Sequence, residues 1–159
     1  MKNNPLKLAF VMILIAPSLF VFSQCDEPFN KTLGIHYTYM PGASAAGIEF
    51  GLTGMESKFN VHFGVMAFLQ HDFPGKDSNE LPPSGRLYSK VGYRFFRKDY
   101  SLSLYGDMLA GIDLDKGLFA AVGLKILHPV GRNAISIEPM YILSAKRELN
   151  LQIAFHVIL

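Results

Sequence analysis

Residues 59–70 read Phe59-Asn60-Val61-His62-Phe63-Gly64-Val65-Met66-Ala67-Phe68-Leu69-Gln70, and no side chain at an odd-numbered position carries a polar atom. A period of two places those side chains on one face of an extended strand, with Asn60, His62, Gly64, Met66, Phe68 and Gln70 on the other. Similar runs lie at approximately 34–40, 46–55, 87–97, 100–113, 117–127, 133–143 and 148–159. No segment from Gly34 onward carries an apolar stripe at i, i+3, i+4, i+7, so helices are not expected there. Pro41-Gly42, Glu56-Ser57, Lys98-Asp99 and His128-Pro129-Val130-Gly131 punctuate the runs as turns. Spacings this short leave no room for crossover helices, so neighbouring strands should be antiparallel. The fold class is all-β, with eight strands in up-and-down order.

The N-terminus reads differently. Lys2 and Lys7 precede Leu8 to Phe22, which is almost wholly apolar, and Val21 and Ser23 stand at −3 and −1 of a cleavage site before Gln24. That is the pattern of an export signal. Fifteen residues interrupted by Pro17 fall short of the ~20 that a spanning helix needs. The expected organisation is a cleaved signal over 1–23, a lead-in over 24–33 and one barrel over 34–159. Two of the fifteen basic residues lie in the leader, which leaves thirteen against thirteen acids. The mature chain is neutral, without a basic patch for nucleic acid. Single Cys25 has no partner for an internal disulfide, and Gln24 before it fits a lipidation motif poorly.

Alternation alone does not say which stripe faces outward. A lipocalin-like soluble barrel would turn the apolar stripe inward and bind a small apolar ligand. The other stripe decides it. Away from strand ends its ionised residues are Glu49, Lys90, Arg94, Asp107, Lys125 and Glu138. Six among roughly thirty-five positions is sparser than the ~25–35% charge of a soluble exterior. Large residues mixed with glycine suit the filled inside of a small barrel. The apolar face is therefore read as outward, towards lipid, which makes this a transmembrane β-barrel.

Three acids against three bases is the balance that a low-dielectric lumen requires. A two-residue Lys98-Asp99 turn would put Lys90 opposite Asp107. A two-residue Glu56-Ser57 turn would put Glu49 opposite Gly64, and a three-residue loop would put Lys125 diagonal to Asp107. The expectation is an ion-pair network built on Asp107, Lys90 and Lys125, with Arg94, Glu138 and Glu49 nearby.

With these features the chain resembles the small eight-stranded outer-membrane barrels of the OmpA-barrel and OmpX-like class, over about Gly34 to Leu159. The last strand, with Leu151, Ile153, Phe155, Val157 and Leu159, looks like the assembly signal of such proteins, although they usually finish on an aromatic residue. Tyr37, Tyr39, Phe59, Tyr93, Phe95, Tyr100 and Tyr141 supply partial aromatic girdles, without tryptophan. Cleavage to expose Gln24 is similar to signals common in Bacteroidota, and the short N-terminus before a barrel is faintly similar to the conjugative-transposon TraO proteins. The resemblance implies an outer-membrane address and outer-membrane lipid as a partner.

Eight strands leave no wide pore, so solute transport is not expected. Ser136, Glu138 and His156 point inward on adjacent strands; a lipid-modifying enzyme would need them as nucleophile, orienting acid and base. No oxyanion hole is visible, so no catalytic residue is assigned and a polar lumenal set is the expectation. His36 and His62 point inward too, and a metal would need further ligands converging on them; no metal or other cofactor is expected. The one long connection, 71–86, faces away from the termini. His71, Asp72, Asp77 and Glu80 could gather a cation there, but its prolines and glycines read as a solvated loop. Phe73, Lys76, Asp77, Leu81 and Arg86 are the candidate contacts for an extracellular or protein partner.

Overall fold

The computed structural model describes residues 30–40, 43–53, 58–69, 84–99, 101–143 and 148–159. They form eight strands: β1 (Asn30–Met40), β2 (Ala43–Thr53), β3 (Phe59–Leu69), β4 (Gly85–Lys98), β5 (Leu102–Asp113), β6 (Gly117–Val130), β7 (Asn133–Ile142) and β8 (Glu148–Ile158). Each pairs antiparallel with its sequence neighbours, and β8 returns to β1 to close the barrel. β1 starts at Asn30, inside the expected lead-in, because Thr32 and Leu33 pair with Ile158 and Val157. β6 runs through Pro129 to Val130, beyond the expected turn. The ladder to β5 stops at Ser103 opposite Leu127, so the proline sits where β6 has a partner on one side only. The turn is Gly131-Arg132, with Gly131 at φ 62°, the position where a tight hairpin needs glycine.

Closure fixes the width. From Glu148 the ladder steps through Ile142, Ala121, Leu109, Lys90, His62, Gly51 and Thr32, and returns to β8 at Ile158, ten residues on. With ~3.3 Å per residue and ~4.8 Å between strands, that stagger tilts the strands by about 40°. Strands of eleven residues then rise about 28 Å along the axis.

The apolar stripe faces outward. Ile35, Ile48, Met108, Leu124, Leu149 and Ile153 are exposed, Met108 at 66%. The polar stripe is inside: Glu49, Asn60, His62, Lys90, Lys125, Ser136, Glu138 and Gln152 are all buried. These faces are the reverse of a lipocalin-like arrangement.

The lumen has two unlike halves. Towards the end opposite the termini, Met40, Met66, Phe68, Leu109, Phe119, Met140 and Ile142 pack as an apolar plug. Arg86 caps it, its guanidinium 3.9 Å from the Phe119 ring centre and 5.2 Å from that of Phe68. Arg86 was expected in the outer loop; it belongs instead to β4. Its register partner Asp113 offers both carboxylate oxygens, at 2.5 and 3.2 Å, so the side chain turns inward. The other half is polar and holds the cavity described below.

Glycines open the space for the large polar residues. A Cβ on Gly64 would overlap the Tyr88 ring, whereas one on Gly106 would meet nothing within 4 Å. Gly64→Ala should therefore lower stability by about 1–3 kcal/mol, and Gly106→Ala should change it by less than about 0.5 kcal/mol. Equilibrium urea unfolding followed by tyrosine fluorescence checks both.

Candidate functional site

Seven strands deliver side chains to one polar layer at mid-barrel. Lys90 of β4 reaches across the lumen to two acids: Nζ donates to Glu138 Oε2 at 2.7 Å and lies 3.1 Å from Glu49 Oε2. Lys125 of β6 lies 3.5 Å from Glu138 Oε1. Tyr88 donates its hydroxyl to Glu49 Oε2 at 3.0 Å, and its oxygen is 2.9 Å from His36 Nε2. The second oxygen of Glu49 faces two imidazoles, His62 Nδ1 at 3.3 Å and His156 Nδ1 at 3.5 Å.

The expected registers divide. Glu49 stands opposite Gly64, and Lys125 is diagonal to Asp107 through the pairs Tyr105–Lys125 and Asp107–Gly123. Lys90, however, stands opposite Leu109 rather than Asp107. The β4–β5 connection is longer than two residues, since Lys98 pairs with Leu102, and the ladder skips Phe95 between Arg94 and Phe96. That shift moves Asp107 opposite Gly92. Neither carboxylate oxygen of Asp107 has a hydrogen-bond partner among the described residues. Lys90 therefore centres the network on Glu49 and Glu138, while Arg94 lies in the wall of the cavity.

Ser136 and His156 do meet. Ser136 Oγ is 2.9 Å from His156 Nε2, and it donates to Glu138 Oε1 at 2.7 Å. A hydroxyl has one proton. With that proton on a carboxylate, His156 must supply the hydrogen between its Nε2 and Ser136, the opposite of a general base that withdraws a proton from serine. Sequence reading did not anticipate Pro139. It has no N–H for the ladder, and pairing between β6 and β7 lapses from Gly123–Met140 to Ile126–Ile137. Lys125 and Glu138 lie in that gap.

Below the layer, on the side of the chain termini, is a cavity of about 330 Å³. Its wall includes Thr32, Arg94, Arg97, Lys125, Tyr105 and His156, with Asp99 at the same end. The polar layer is thus approached from one end of the barrel, while the apolar plug fills the other. Of the loop residues expected to bind, Phe73, Lys76, Asp77 and Leu81 lie outside the described residues, as do His71, Asp72 and Glu80.

No protein-family model, curated protein or solved structure matches the chain.

Removing Lys90 would leave two carboxylates buried without their shared cation. Lys90→Met should cost about 3–5 kcal/mol. Pairing it with Glu138→Gln should recover part of that loss. A double-mutant cycle by urea unfolding measures the coupling.

Proposed function

We propose that the chain is an integral outer-membrane protein, exported by its leader, whose barrel is closed to solutes and performs no catalysis. Its role is structural or lies in surface contact through the 71–86 loop. The observation that carries this reading is the outward face. Away from the strand ends, no described outward-facing strand residue is Asp, Glu, Lys or Arg. A continuous apolar belt around a closed barrel is far larger than the patches that soluble monomers expose.

Dimensions support the same reading. A rise of about 28 Å matches the ~25 Å apolar band of outer-membrane barrels. Aromatic residues lie towards both rims, with Phe59 and Tyr93 packed edge to face at 5.2 Å near the terminal end and Tyr39 and Tyr141 near the other. Tyr100, also expected in these girdles, lies outside the described residues. Lipid is then the partner of the whole outer surface. The longest connection, between Leu69 and Gly85, leaves the barrel opposite its termini. With the termini in the periplasm it would face the exterior, where such barrels carry their longer loops. The apolar plug beneath it supports a closed lumen and a role in contact rather than conduction.

Fractionation should recover the protein with outer membranes, and unheated samples should migrate differently from boiled ones. Ile153→Arg, near the middle of β8, should lower barrel stability in lipid by about 2–4 kcal/mol. A chain that stays monodisperse without detergent, and tolerates that arginine, would sink the membrane reading.

A further inference from the structure

We propose that Glu49, His62 and His156 bind a first-row divalent cation, zinc being the ion that suits them best. The three residues come from β2, β3 and β8, are all buried, and each offers a ligand atom within 4.8 Å of the others. Glu49 Oε1 lies 3.3 Å from His62 Nδ1 and 3.5 Å from His156 Nδ1. Tetrahedral zinc with bonds of ~2.0–2.1 Å separates neighbouring ligands by about 3.3–3.4 Å. The spacing is that of a coordination edge.

Hydrogen-bond accounting points to the same place. The proton of Ser136 goes to Glu138, so the hydrogen between Ser136 and His156 belongs to Nε2. A neutral imidazole then has a lone pair on Nδ1, and that lone pair faces a carboxylate oxygen. A cation between these two acceptors would satisfy both. Glu49 Oε1 and His62 Nδ1 likewise have no hydrogen-bond partner among the described residues, although both are buried. His62 thus acquires the converging ligands that it lacked in the sequence. His36, whose Nε2 is held by Tyr88, is not among the residues whose ligand atoms converge here.

The outer shell is in place as well. His62 Nε2 is 3.3 Å from Thr53 Oγ1, and His156 Nε2 is held by the Ser136–Glu138 pair. Glu49 Oε2 takes Lys90 and Tyr88, which leaves Oε1 for the metal. Ligating histidines and carboxylates are commonly oriented in this way. Two imidazoles and one carboxylate select zinc and its neighbours over magnesium or calcium. His156 lines the cavity, which gives the ion an entry path and a water for the remaining position.

The test uses the mature chain without a histidine tag, purified in detergent, stripped by a chelator and titrated with zinc chloride against a chromophoric competitor. One zinc per chain is expected. His62→Gln and His156→Gln should each weaken binding by roughly 100-fold or more, and Ser136→Ala by about 10–100-fold. His36→Gln should leave it within about threefold. Each variant is first checked for barrel formation by its unboiled gel band. X-ray absorption at the zinc edge of the wild-type protein reads the site without any substitution and should show two imidazoles with oxygen. Wild-type protein that takes up no zinc would overturn the proposal and put a proton between His156 and Glu49. Uptake unchanged in both histidine variants, or a spectrum with sulfur from Cys25, would overturn it equally.

Discussion

Lys90 is the side chain on which the interior depends. Its ammonium lies between Glu49 and Glu138, acids from strands on different walls, and makes one unit of what would be two buried charges. The groups are buried at mid-barrel, so the carboxylates persist as ions only while Lys90, Lys125 and Tyr88 satisfy them. The oxygens left over are then fixed in direction. Glu49 Oε1 is turned towards the two imidazoles because Oε2 is already engaged, and Ser136 is tied to Glu138, which sets the tautomer of His156. The candidate metal site follows from where Lys90 sits.

Space for this arrangement comes from glycine and proline. Gly64 admits the Tyr88 ring, through which Glu49 is joined to His36. Pro139 suspends the β6–β7 ladder at the level of Lys125 and Glu138. In most sheets such an interruption would be a weakness. Here closure of the barrel by β1 and β8 leaves no free edge, so the gap is held from both sides.

The division of the lumen gives the molecule a direction. Apolar side chains gather beneath Arg86 and Asp113 towards the end opposite the termini, while the cavity lies towards the end with the termini. On the membrane reading that side is the periplasm, so the buried histidines and the surface loop would answer to different compartments.

Much of the fold was legible in the chain. Alternation is a local property, and it determined eight antiparallel strands, the outward apolar face and the inward set of charges from Glu49 to Glu138. The Glu49–Gly64 register followed from one short turn. What meets across the lumen could not be read in this way, because it depends on the ten-residue stagger of the closed barrel and on turn lengths that add up around it. One skipped residue at Phe95 and a longer β4–β5 connection were enough to separate Lys90 from Asp107. Arg86 likewise reads as a loop residue in the sequence, and its pairing with Asp113 is what places it in β4. His62 and His156 are ninety-four positions apart in sequence, and only closure of β8 onto β1, with β2 and β3 beside it, turns both rings onto the same oxygen of Glu49.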